Sequence, residues 1–145
     1  SIGGQCSRVI KAGTGITLEE LIVRNSVGDN TGKCVIEKPV GVMLMPVPGS
    51  GGVLRRVEGL GNGARIPGVT GIELDARPGQ ILTPWPEGCA YPGFIFAEGE
   101  STDKVVRALE RAYAELNFVY SPSLPVHVVT EPFQPQLIRT DTVRQ

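Results

Sequence analysis

The densest polar chemistry in this chain stands at its start, in Ser1-Ile2-Gly3-Gly4-Gln5-Cys6-Ser7-Arg8. A Gly-Gly turn that feeds into a helix leaves backbone N–H groups without intrahelical partners, and such a helix start favours negative charge. Gly3 and Gly4 therefore form a candidate anion cradle proximal to a substrate or phosphate. Gln5, Ser7 and Arg8 add polar groups beside it, and the Arg8 guanidinium suits a carboxylate or a phosphate. Each feature also has a plainer reading. A glycine pair marks a turn with or without a ligand, and Arg8 fits equally well as a solvated helix residue.

The remaining reactive side chains make no second constellation. Cys6, Cys34, Cys89 and the single histidine, His127, show neither C-x-x-C nor H-x-x-H spacing, so no metal site is expected. A nucleophilic pair would have to combine His127 with one of the thiols, or use Cys6 beside the glycine pair, and nothing marks a cysteine as activated. No catalytic residue is assigned. His127 alternates with valines and reads as an outward residue of a strand. Arg55-Arg56 would place one guanidinium on each face of a strand, as a protected edge does. Trp85, between Pro84 and Pro86, reads as an anchor of its loop to the core, with an exposed binding platform as the alternative.

Composition narrows the partners. A formal net charge of −1 cannot supply the cationic surface that binds nucleic acid. The longest uncharged apolar run, residues 40–54, is broken by Pro46, Pro48 and four glycines, short of the roughly 20 residues of a membrane helix. An odd number of scattered cysteines points to reduced thiols in a cytoplasmic protein.

The elements that must position these residues follow from periodicity and caps. With 19 Gly and 12 Pro, many turns and short elements are expected. The pattern predicts a helix over residues 5–11 closed by Gly13. A second follows with Thr17 as N-cap, Glu20 completing a capping box and Gly28 ending it. Residues 28–33 are polar and turn-rich and mark a subdomain boundary. Strands are predicted over 38–47 and 53–58, joined as a hairpin through residues 49–52, and over 69–75 and 80–83. Residues 84–88 must be a loop. Residues 93–98 form the strongest strand, leading into a helix over 103–117 capped by Thr102, with Val105, Leu109, Ala112 and Leu116 on one face. Beyond Ser121 the prolines predict an extended arm with one short strand at 126–129. The fold class is α+β: an antiparallel sheet with a packed amphipathic helix, preceded by two short helices.

Ser-Ile-Gly-Gly at the start, Lys38-Pro39-Val40-Gly41-Val42-Met43, Gly52-Val53-Leu54, Pro78-Gly79-Gln80 and Tyr91-Pro92-Gly93-Phe94-Ile95-Phe96-Ala97 before a capped helix carry a resemblance. In this order they resemble, over residues 1–120, the C-terminal part of an ATP-grasp ligase of the L-amino-acid-ligase and biotin-carboxylase-like branch. The resemblance implies that residues 1–33 end the ATP-grasp domain, residues 34–120 form its C-terminal α+β subdomain, and residues 121–145 are a tail. It implies a parent that uses ATP and magnesium to activate a carboxylate as an acyl-phosphate for attack by an amine. The metal ligand and a substrate-binding arginine would lie upstream of Ser1. This chain would then be a fragment that binds no cofactor alone and lines one wall of the cleft, with Gly3 and Gly4 nearest the chemistry and Gln5 and Arg8 as neighbours. Its partner would be the missing N-terminal ATP-grasp portion; a homodimer stays open. The alternative is a stand-alone β-rich module that binds a protein or peptide through the Trp85 loop and the turn near Ser50. Bare apolar surface on Ile2, Val9, Leu21 and Ile22 favours the fragment, and a patch centred on Trp85 favours the module.

Overall fold

A computed structural model of the protein describes residues 4–29 and 35–121. Gly3, Cys34, His127 and the strand expected at 126–129 lie outside them. The first helix, α1 (Gly4–Thr14), runs further than its sequence pattern suggests. Its closing left-handed residue is Gly15, with φ of 74° and its N–H bonded to the Lys11 carbonyl at 2.9 Å. Gly13 instead stays helical and faces inward, where an added Cβ would stand 3.0 Å from Val40 Cγ2. In α2 (Leu18–Ser26) the Thr17 hydroxyl accepts from the Glu20 N–H at 3.1 Å, as the capping box requires. The Glu20 carboxylate turns away to pair with Arg24 one turn on. Asp29 N–H to Arg24 O at 2.9 Å and Gly28 N–H to Asn25 O at 3.2 Å close the helix as a Schellman motif.

Among the described residues six strands follow: β1 (Val40–Leu44), β2 (Gly52–Glu58), β3 (Val69–Leu74), β4 (Ile81–Leu82), β5 (Gly93–Glu98) and β6 (Asn117–Tyr120). They form two antiparallel three-stranded sheets, ordered β1-β5-β3 and β4-β2-β6. β1 and β2 are thus not the expected hairpin. β1 pairs with β5 from Val40 opposite Glu98 to Leu44 opposite Phe94, and β2 pairs with β6. The reason is burial. Gly93-Phe94-Ile95-Phe96-Ala97 is the most apolar strand and takes the centre of its sheet, which requires a neighbour on each edge.

Helix α4 (Thr102–Ala114) lies on that sheet and buries Val105, Ala108, Leu109 and Ala112. Gly41 lets it approach, since a Cβ there would meet Val105 Cγ1 at 2.9 Å. The core gathers these residues with Met45, Leu54, Leu82, Ile95 and Phe118. Ser101, not Thr102, caps the helix, accepting from the Lys104 N–H at 3.3 Å. The helix also stops short of Asn117, because Phe118 is buried by pairing with β2. A short helix, α3 (Leu60–Ala64), has no signature in its Leu-Gly-Asn-Gly-Ala sequence. Packing holds it: a Cβ on Gly63 would stand 3.0 Å from both the Ala112 carbonyl and Ile72 Cδ1.

Two readings of single residues are corrected. Arg55 and Arg56 lie on the middle strand of their sheet, and a bulge between Leu54 and Arg56 leaves both exposed. Arg56 pairs with Glu58 at 2.7 Å, and Asn117 Nδ2 donates to the other oxygen of Glu58 at 3.1 Å. These two contacts, Arg56 foremost, hold the Glu58 carboxyl below its usual range. Trp85 anchors nothing, being 83% exposed. Among the described residues no helix is long and apolar enough to cross a membrane.

Candidate functional site

Gly4 opens α1, as the sequence requires of the proposed cradle. Gln5 follows with its Oε1 buried and without a hydrogen-bond partner among the described residues. Arg8, one turn further on, is committed within the fold. Its guanidinium pairs with the Glu73 carboxylate on β3 and lies 4.4 Å above the centre of the Phe96 ring on β5. Arg8 is therefore half-exposed but already partnered, by a carboxylate and by a ring. It fastens α1 to two strands of the β1-β5-β3 sheet.

A cavity of about 110 Å³ lies where α1 meets that sheet, with Arg8, Val9 and Ala12 above and Thr70, Gly71 and Phe96 below. Glu98 lines its far side and pairs with Lys38 at 2.7 Å. Both cations here carry a carboxylate partner, so this floor offers no surplus positive charge to a phosphate. What it offers is a rigid seat for α1, and through α1 a set direction for the Gly4 end.

The described residues bring no group of three His, Cys, Asp or Glu side chains together as a metal site. Cys6 and Cys89 are both free and exposed. Away from α1, the Tyr113 hydroxyl donates to the Pro46 carbonyl at 3.0 Å, and burial pushes this phenol above its usual range. Tyr120 is raised for the same reason, with Tyr113 contributing, and its hydroxyl is buried without a partner among the described residues.

Two apolar surfaces remain open. A groove of about 580 Å³ runs between α1, α2 and the start of α4, lined by Val9, Ile10, Leu21, Ile36, Val40 and Val105. Beside it Ile22 is 57% exposed, while Val9 and Leu21 are half-buried. The second surface is a cleft of about 230 Å³ lined by Leu44, Val47, Trp85, Cys89 and Tyr91. Of the first patch named as a discriminator, Ile2 lies outside the described residues, Val9 and Leu21 are half-buried and Ile22 is bare, while Trp85 of the second is bare, so exposure alone does not choose between the fragment and the binding module.

Glu73 and Phe96 are the functional neighbours that sequence reasoning missed. Phe96 was legible as part of the strongest strand and Glu73 as a charge in an apolar one. Their meeting with Arg8, 65 positions from Glu73 and further still from Phe96, has no local signal.

Residues 44–121 match the family L-amino acid ligase C-terminal domain 2. No curated protein sequence matches the chain. Among solved structures, the chain is similar to an L-amino acid ligase from Bacillus licheniformis at 24% identity and a TM-score of 0.70, covering 83% of this chain and 31% of that one. It is also similar to phosphoribosylglycinamide synthetase from Anaerococcus prevotii, at 15% identity and a TM-score of 0.62, over 79% of this chain and 30% of that one. A third is N5-carboxyaminoimidazole ribonucleotide synthetase from Thermotoga maritima, at 15% identity and a TM-score of 0.54, over 82% and 31%. At these identities the likeness is one of fold, and the chain spans about a third of each structure's length.

Proposed function

Because the chain belongs to the L-amino acid ligase C-terminal domain 2 family, we propose that it is the C-terminal piece of a longer ATP-dependent carboxylate–amine ligase and lines one wall of its active-site cleft. The observation that carries this reading is the family match over residues 44–121, joined to a fold likeness that extends over 83% of the chain. The proposed domains are those of the sequence: residues 1–33 closing the ATP-grasp domain, residues 34–120 the C-terminal subdomain, residues 121–145 a tail. Exposed, free Cys6 and Cys89 support a reducing, cytoplasmic setting.

ATP and magnesium would serve the parent by activating a carboxylate as an acyl-phosphate, from which an attacking amine displaces phosphate. The donors present here do not fit that group: no metal-ligand cluster occurs among the described residues, and Arg8 and Lys38 are paired with Glu73 and Glu98. No step on the nucleotide is assigned to this chain. Its own contribution is to position. The Arg8–Glu73–Phe96 contact seats α1, and α1 sets the direction of its Gly4 end. The preorganised N–H groups of that end would meet charge without rearranging.

Tests follow from the division of labour. The isolated chain is expected to release no ADP from ATP in the presence of any amino acid pair. A polypeptide extended upstream through its natural reading frame is expected to do so with at least one pair. Amino-acid-dependent ATP hydrolysis by the isolated chain, or a reading frame that starts at Ser1, would overturn the proposal. The observation behind the second reading, a binding module, is the cleft that Trp85 lines with Leu44, Val47 and Tyr91. Retention of a peptide ligand by the isolated chain and its loss in Trp85→Ala would support it.

A further inference from the structure

We propose that the cleft beside Trp85 is the seat of a segment of this same chain, the Pro-x-x-Pro run Pro122-Ser123-Leu124-Pro125 that follows β6. Trp85 and Tyr91 give the cleft two exposed rings, Leu44 is exposed at its edge, and every residue that lines it is uncharged. Aromatic clefts of this kind take proline-rich segments, whose polyproline II form is preorganised and loses little entropy on docking. Residues 122–125 are themselves uncharged and carry the apolar Leu124 between the two prolines. The family match ends at residue 121, so the run stands outside the region shared with that family. A cleft filled in cis needs neither a foreign peptide nor a nucleotide, and is independent of both functional readings above.

The fold delivers this segment to the cleft. β6 runs antiparallel to β2, with Tyr120 opposite Leu54, and the Ser121 N–H donates to the Val53 carbonyl at 2.8 Å. The chain therefore leaves the sheet heading past Gly52 and Gly51, and Pro122 holds the residue before it in extended backbone. Gly51 lies against the cleft: a Cβ on it would stand 3.0 Å from Pro84 Cδ, and Pro84 is one of the lining residues. The Gly51 N–H closes the turn at 48–51 on the Pro48 carbonyl at 3.3 Å, and just before that turn Pro46 and Val47 line the same cleft. In polyproline II four residues span about 12 Å, and so short a tether holds them beside the cleft at roughly millimolar effective concentration.

The single tryptophan makes the test direct. In the full chain of 145 residues, iodide should quench Trp85 about threefold less than in a variant carrying Pro122→Gly, Leu124→Ser and Pro125→Gly, which vacates the cleft. Iodoacetamide should likewise alkylate Cys89, which lines the cleft, more slowly in the full chain than in that variant, while Cys6 on α1 reacts alike in both. Pro132→Gly with Pro135→Gly, in the second Pro-x-x-Pro run, should leave both readouts as in the full chain. Equal quenching of Trp85 in the full chain and the triple variant overturns the proposal. So does protection that is lost only in the Pro132 and Pro135 variant, which would hand the cleft to the second run. Protection that fades on dilution overturns it as well, because a second copy would then be the donor.

Discussion

At the scale of single residues, Arg8 is the instructive case. Its type and its place one turn into a helix suggested an anion ligand, and the fold spends it on Glu73 and Phe96 instead. The pair is about half exposed, so screening leaves it worth no more than about 1 kcal/mol. The stacking over Phe96 adds about 0.5–1 kcal/mol at such a site. Arg8→Ala removes both and is expected to destabilise the isolated chain by about 1–1.5 kcal/mol in a urea titration. Glu73→Gln, which keeps the stack, should cost about half as much. If Glu73→Gln cost as much as Arg8→Ala, the ring contact would contribute nothing and the fastening would be purely ionic. The chemistry of Arg8 was legible in the sequence, its partners were not. A guanidinium accepts any carboxylate within reach, and which one comes within reach is decided by sheet register. The same limit explains Trp85, whose flanking prolines announced a loop without saying on which side of it the ring would lie.

Among the elements, legibility tracked local determination. The Thr17 cap, the Gly28 terminus and the α4 stripe from Val105 through Leu109 to Ala112 rest on contacts within about four residues and are present, as is the strongly apolar strand centred on Ile95, while Leu116, expected on the same stripe, lies beyond the end of α4. Strand pairing is non-local, and there the sequence misled: the glycine-rich turn at 49–52 looked like a hairpin tip, yet β1 and β2 went to different sheets. Helix α3 was invisible because its two glycines argue against a helix, and only contacts with α4 and β3 hold it. This gives a paired prediction on two glycines two residues apart. Gly59 has φ of 84°, and a Cβ there would stand 1.9 Å from the Glu115 carbonyl. Gly59→Ala should therefore cost about 2–4 kcal/mol, from backbone strain plus the clash. Gly61 has open space around it and lies inside α3. Gly61→Ala is expected to stabilise by about 0.5–1 kcal/mol through lower unfolded-state entropy. Thermal unfolding of both variants beside the parent chain checks the pair. Equal effects would mean that α3 is not held at Gly59.

For the whole molecule, the order of motifs along the chain was the legible feature, since it survives errors in pairing and element ends. It led to the family that residues 44–121 match, although no single motif was diagnostic. What it could not say is which apolar surface the molecule leaves open, because that depends on how many sides of each element find a neighbour. Here α2 and the Trp85 cleft are both open, and they make separable demands. If α2 is an interface within a longer polypeptide, lengthening the chain must cover it and need not touch Trp85. The protein carries one tryptophan, so its fluorescence reports on that second surface alone. With residues 122–125 kept from docking, the isolated chain should emit close to free tryptophan in water and be quenched by iodide, and Trp85→Ala should then move stability by no more than about 0.5 kcal/mol. In the extended polypeptide the emission lost on Trp85→Phe is expected to keep the same maximum and the same iodide quenching as in the isolated chain. A blue shift there would make the Trp85 face a second interface.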